Sequence, residues 1–147
     1  MFKRWRVLNS KKELIICDWK RQSGKTYTEA RLIKEKSNKD FTTKFLVLAF
    51  NTRYADIFQE SLKKVFGNFY KIDRVHNIIR IMEIMGNVKF VVAEIVVVTN
   101  LENPKGMKFD YCIADEKLLN DRDISLIRNM LVKQIYLFGT FDIDYIK

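Results

Sequence analysis

The first residues that could carry chemistry are Gly24-Lys25-Thr26, which follow an apolar run at 14–17 and precede an amphipathic segment. Between a buried strand and a helix, backbone N–H groups point at an anion and favour a phosphate. In such a loop the lysine binds the β- and γ-phosphates of a nucleotide, and the threonine hydroxyl binds Mg²⁺. The full pattern G-x4-G-K-[ST] requires glycine where this chain has Trp19, so the motif is degenerate.

A second candidate for chemistry is the segment FDYCIADE, at 109–116. Mostly apolar residues followed by Asp115 and Glu116 have the form of a Walker B strand. A carboxylate at the tip of a neighbouring strand can hold the Mg²⁺ carried by Thr26, which is the role predicted for Asp115. The next carboxylate, Glu116, can polarise the attacking water. The alternative is a strand that ends in an ordinary solvated acidic turn, but the order of the two motifs favours one joint site.

The elements that position these motifs follow from the apolar pattern. Continuous apolar runs predict buried strands at 14–17, 45–50, 111–114 and 135–138. Amphipathic spacing predicts helices at 25–36 and at 121–132. A further helix is predicted between them, with Asn51 or Thr52 as its cap, an end near residue 66 and Gly67 as its stop. Two apolar runs around Gly86-Asn87 predict a hairpin within 78–98, with a buried helix over the first run as the alternative. Alternating strands and helices predict an α/β fold with a mainly parallel sheet and helices on both faces.

Composition limits the class of protein. The 147 residues predict a single domain over 1–147, and the net charge of +9 favours nucleic acid or another polyanion, although a lysine-rich surface is the plain alternative. One histidine and two separated cysteines, each in an apolar run, predict neither a zinc site nor a Ser-His-Asp triad. No apolar run has the length of a membrane span, and the start lacks a signal-peptide core. We therefore expect a soluble, cytoplasmic protein with no membrane partner.

The segment Arg21-Gln22-Ser23-Gly24-Lys25-Thr26 resembles the R-Q-x-G-K-[ST] form of viral large terminase ATPase domains, the DNA-packaging motors related to P-loop helicases. In that family the first glycine of the loop is often replaced. The F-D-x-x-x-x-D-E pattern at 109–116 and a strand ending in Gly139-Thr140 continue the resemblance, which spans 14–141. It implies a three-layer, RecA-like P-loop NTPase fold.

The same resemblance implies a set of site residues and ligands. ATP would be bound by Gln22, Ser23, Gly24, Lys25, Thr26 and Tyr27, and Mg²⁺ by Thr26 and Asp115. Glu116, Lys25 and Arg21 would be catalytic, with Arg21 contacting the γ-phosphate or sensing a neighbouring subunit. Gly139 and Thr140 would couple hydrolysis to nucleic-acid movement. DNA is the implied nucleic acid, protein partners or further copies of the chain would supply charge in trans, and a viral chain would work in the host cytoplasm.

A terminase also carries a nuclease domain, and a helicase also carries a second lobe. We therefore expect the chain to correspond to one truncated or minimal motor lobe.

Two alternatives to this ATPase remain open for the chain. It could instead be a non-hydrolysing, basic nucleic-acid-binding or regulatory module on a degenerate P-loop fold. A nucleotide or small-molecule kinase ranks last, because no arginine-rich lid follows the Asp-Glu strand.

Overall fold

The computed structural model describes residues 2–9, 12–18, 25–37, 40–49, 51, 53–101, 107–115, 126 and 132–139. Within these ranges the strands are β1 (Phe2–Asn9), β2 (Lys12–Asp18), β3 (Thr43–Leu48), β4 (Tyr70–Val75), β5 (Ile78–Met85), β6 (Val88–Val98), β7 (Tyr111–Asp115) and β8 (Gln134–Gly139). Two helices are described over their full length, α1 (Lys25–Lys36) and α2 (Tyr54–Phe66). Most of the helix predicted at 121–132 lies outside the described residues, although Leu126 is helical.

All eight described strands form one sheet in the order β1-β2-β8-β7-β3-β6-β5-β4. The central five, from β2 to β6 in that order, are mutually parallel. The antiparallel strand β1 extends the sheet beyond β2, and the antiparallel strands β5 and β4 extend it beyond β6. The mainly parallel α/β sheet predicted from the sequence is therefore confirmed, whereas β1 and β4 were not predicted.

The middle parts of β3, β7 and β8 are continuously apolar because both of their faces are buried, at 45–48, 112–114 and 135–138. In β3, Phe45 and Val47 join the core beneath the two helices, while Leu46 and Leu48 join a second core on the opposite face. β8 alternates in the same way between the two cores. Within the described residues the second core is completed by Leu101, Phe109, Leu126 and Val132.

Both described helices pack on the same face of the sheet, through Ala30 and Ile33 of α1 and Phe58 and Leu62 of α2. Helices on both faces therefore stay a prediction, since the segment predicted to form a third helix lies mostly outside the described ranges. In the part of the chain that the structure describes, neither helix has the length and apolar character that a membrane crossing requires.

The end of α2 at Gly67 agrees with the sequence, but its N-cap residue is Arg53, not the predicted Asn51 or Thr52, and Arg53 makes no side-chain capping hydrogen bond. The backbone N–H of Tyr54 donates to both the Oδ1 atom and the carbonyl oxygen of Asn51, each at 3.2 Å, so Asn51 supports the start of the helix. Gly67 ends the helix with φ +80°, a left-handed conformation that favours glycine.

Two turns shape the antiparallel strands. Gly86-Asn87 joins β5 to β6, so the predicted hairpin is confirmed and the alternative of a buried helix over 78–85 is wrong. His76-Asn77 joins β4 to β5, and His76 has φ +56°. Histidine tolerates this left-handed region better than most residues, but at a cost.

Cys112 lies in the second core, where burial raises the pKa of its thiol to about 12. Because the thiolate is the reactive form, we expect iodoacetamide near pH 8 to label native Cys112 about 10³-fold more slowly than a free thiol. A Cys17→Ala variant removes the other cysteine, and labelling is followed by mass spectrometry with and without urea. Equal rates in the native and urea-unfolded states would contradict this burial.

The direction of that pKa shift also sets a pH dependence. The folded state favours the neutral thiol, so its contribution to the free energy of unfolding is fully present below the ordinary pKa of 9.0. It is lost as the pH rises from there towards 12.

Candidate functional site

Three parallel strands of the candidate site end at the same edge of the sheet. β2 ends at Asp18, β8 at Gly139 and β7 at Asp115. In the register, Asp18 lies opposite Gly139, and Phe138 lies opposite Asp115, so the three strands stop within about one residue of the same level. In open α/β sheets, ligands bind outside the carboxyl ends of the strands. This edge is therefore the place to expect a ligand.

The position of β8 sets the spacing at this edge. β8 lies between β2 and β7, and neighbouring strands are about 4.8 Å apart. The ends of β2 and β7 are thus about 10 Å apart, twice the strand spacing. That separation leaves room for a phosphate group and a cation between the ends of β2 and β7.

The first turn of α1 lies at this edge too, as two contacts with α2 show. Near the start of α2, the Tyr54 hydroxyl donates to Glu29 Oε1 at 2.7 Å. Near its end, Lys34 Nζ donates to the carbonyl oxygen of Val65 at 3.1 Å. The two helices therefore run side by side in the same direction. Because α2 begins just after the carboxyl end of β3, α1 also begins at the carboxyl edge.

The charges of α1 suit an anion at its first turn. The first turn contains no acidic residue, so no side-chain carboxylate of that turn neutralises the positive end of the helix dipole. Lys34 and Lys36 occupy the last turn, where positive charge is favourable. Thr26 is half-buried and Tyr27 is exposed at the start of the helix.

The structure places some of the predicted site residues and not others. Lys25, Thr26 and Tyr27 begin α1, whereas Asp115 and Gly139 end β7 and β8 at the same edge. Six further predicted residues lie outside the described residues: Arg21, Gln22, Ser23, Gly24, Glu116 and Thr140. The joint assignment of these residues to one site therefore stays a prediction.

The sequence analysis missed the buried carboxylate of Glu29. Glu29 is only 3% exposed, and it receives the Tyr54 hydroxyl across the interface between the two helices. Helical periodicity could have identified Glu29 as buried, because residue 29 shares a face with Ala30 and Ile33. A glutamate on an apolar stripe implies a buried partner, which here comes from α2.

Comparison with known proteins gives matches at the level of structure. No protein-family model and no curated protein matches the sequence. A variant of the large terminase ATPase domain from Thermus phage P74-26 matches with a TM-score of 0.50 and 14% identity, covering 92% of this chain and 62% of that one. The large terminase of a thermophilic bacteriophage matches with a TM-score of 0.59 and 13% identity, covering 85% and 33%. Its complex with ADP matches with a TM-score of 0.58 and 14% identity, covering 86% and 33%.

At these identities the similarity concerns the fold alone. The chain spans 62% of the matched ATPase domain and 33% of the matched terminase chain. The mostly parallel α/β sheet fits a RecA-like fold. The fold of this chain is therefore similar to that of phage large terminase ATPase domains, as the resemblance in its sequence predicts.

Proposed function

We propose that the chain is a P-loop ATPase with a three-layer, RecA-like architecture that hydrolyses ATP with Mg²⁺ and couples this reaction to nucleic acid. One observation carries the proposal. The phosphate-loop sequence leads into α1 at the sheet edge where β7 ends at Asp115, with β8 between β2 and β7. A phosphate-binding helix start and a strand-tip aspartate at one edge are the arrangement that phosphoryl transfer needs.

In this proposal Lys25 binds the β- and γ-phosphates, and backbone N–H groups of the loop and of α1 surround them. Thr26 and Asp115 would hold Mg²⁺, whose preferred ligands are oxygen atoms such as theirs. When bound, this ion neutralises charge on the phosphates. Glu116 orients the attacking water and accepts its proton, and Arg21 adds positive charge beside the γ-phosphate.

The coupling to nucleic acid is supported by charge and by position. The net charge of +9 attracts a polyanion. β8 pairs with both β2 and β7 and ends at Gly139, so Gly139 lies between the two halves of the proposed site, and Thr140 comes next in the sequence. A change of nucleotide state at either strand end would reach them directly. Further copies of the chain or other subunits would complete the charge around the triphosphate.

The test is isothermal titration of a slowly hydrolysed ATP analogue. We expect Mg²⁺-dependent binding that weakens about 10- to 100-fold in Lys25→Ala, because a charge-assisted contact with phosphate is lost. Lys36→Ala, which removes the same charge from the last turn of α1, is the matched control and should bind like the wild type. Absence of binding with any divalent cation, or equal binding by both variants, would refute the proposal.

The second candidate function is a basic nucleic-acid-binding module without turnover. Trp19 in place of the first loop glycine and the net charge of +9 favour it. DNA binding measured over a salt series with and without ATP separates the two functions. Steep salt dependence that is indifferent to ATP and to Lys25→Ala would establish the module.

A further inference from the structure

A cavity of about 290 Å³ opens at the same sheet edge but beside other strands. Its apolar lining comes from Ala55 of α2 and Val97 of β6, both members of the core beneath the helices. Its polar lining includes Arg74, Asn77 and Thr99. In the sheet order, β3 and β6 lie beyond β7, so the cavity is separate from the proposed ATP site.

Arg74 supplies the charge of this cavity. Its Nε donates to the carbonyl oxygen of His76 at 2.8 Å, and its Nη1 pairs with the Asp56 carboxylate. These contacts use two of the five N–H donors of the guanidinium. The Arg74 side chain is 23% exposed, whereas its partner Asp56 is 70% exposed. The His76 carbonyl and the Asp56 carboxylate thus hold the Arg74 guanidinium from one side, and its other N–H donors can bind a second anion.

The turn at the rim of the cavity is hydrogen-bonded to β6 and includes one residue with a positive φ. Asn77 Nδ2 donates to the Val97 carbonyl oxygen at 3.0 Å, and the Val97 N–H donates to the Asn77 carbonyl oxygen at 2.8 Å. The turn is therefore fixed against β6. Its first residue, His76, lines the cavity in the left-handed conformation. Such conformations concentrate at binding sites, where the surrounding structure maintains them.

The size and lining of the cavity limit what it can bind. Its volume lies just below the ~300–1,000 Å³ range of ligand pockets. It therefore accepts a group about as large as one nucleotide, but no duplex. The apolar floor suits the face of a base, the Asn51 and Asn77 amides suit its polar edge, and a guanidinium suits a phosphate.

We propose that this cavity binds one unpaired nucleotide of a single-stranded nucleic acid. In a duplex the bases are stacked and paired, and extracting one costs a few kcal/mol. Asp56 beside Arg74 disfavours a dianionic free phosphate more than a singly charged phosphodiester, which favours a strand over a free mononucleotide. The inference deepens the nucleic-acid coupling of the proposed function, on which its choice of partner rests, but it requires no ATP.

The experiment is fluorescence anisotropy with a short fluorescein-labelled oligo(dT) strand, without ATP. Arg74→Gln is expected to weaken binding about 10-fold and to lower the slope of log K against log salt by about 0.7, the value for one phosphate contact on a single strand. The matched control is Arg80→Gln. Arg80 lies on the neighbouring strand, pairs with Glu94 at 3.2 Å and is 45% exposed. We expect its loss to weaken binding by less than about twofold.

A second variant, Thr99→Phe, guards against misfolding of Arg74→Gln. Thr99 is exposed at the rim, so a larger side chain there can fill the cavity without entering the core or changing the charge. We expect the same loss of strand affinity, with thermal unfolding unchanged.

Three outcomes would overturn the inference. They are duplex binding as tight as strand binding, wild-type affinity in both cavity variants, and tighter binding of free dTMP than of the strand. Failure of ATP to bind in the titration above would refute the ATPase and leave this inference standing. The two proposals can therefore fail separately.

Discussion

Glu116→Gln is expected to lower kcat for ATP hydrolysis by about 10²–10⁴-fold, the usual contribution of a general base. The amide has nearly the same size as the carboxylate but cannot accept the proton of the attacking water. ATP affinity should change little, because the phosphate contact assigned to Lys25 and the Mg²⁺ contact assigned to Thr26 remain. Phosphate release under steady-state conditions gives the rate, and titration of the same preparation gives the affinity.

The control for this variant is Glu35→Gln, which makes the same chemical change at an exposed position of α1. It should hydrolyse ATP at the wild-type rate. An unchanged rate in Glu116→Gln would remove Glu116 from the mechanism. Loss of both rate and affinity in that variant would instead give Glu116 a role in binding.

Phe45→Ala should lower the free energy of unfolding by about 3–5 kcal/mol, the range for removing a buried aromatic ring. Phe45 is 0% exposed and lies on β3, between β7 and β6. Its ring stacks on Tyr111 of β7 with centroids 5.4 Å apart. Alanine would therefore leave a cavity in the middle of the sheet and remove an aromatic pair. Urea unfolding followed by circular dichroism measures the change.

Phe69→Ala is the matched control, because it removes the same ring from a side chain that is 82% exposed. A change within about 0.5 kcal/mol is expected there. Similar losses in both variants would contradict the described core. So would a loss near zero in Phe45→Ala.

The parts of the fold that the sequence predicts are those buried on both sides. FLVLAF and IYLF are continuous apolar runs because β3 and β8 each contribute to two cores. β4 (YKIDRV) alternates half-buried and exposed residues at one end of the sheet. β1 (FKRWRVLN) carries three basic residues at the other end. Edge strands need no continuous apolar run, so both were missed.

The two ligand sites differ in how far the sequence predicts them. The proposed ATP site is encoded by two short motifs, and parallel strands necessarily bring their carboxyl ends to one edge. The cavity has no motif, because Asn51, Arg74 and Thr99 are far apart in the sequence. They meet only because β6 pairs with β3 and β5, and β5 pairs with β4. The geometry of the cavity depends on long-range packing, which no local sequence pattern predicts.

The hydrogen bond between Tyr54 and Glu29 has a thermodynamic consequence for the whole edge. Tyr54 also donates its backbone N–H to Asn51, which lines the cavity, and Glu29 lies on the helix that begins with Lys25. A ligand that displaces α1 must therefore do work on this chain of contacts. If binding of one ligand changes the affinity for the other through these contacts, binding of the second ligand changes the affinity for the first by the same factor. This follows because free energy depends only on the state.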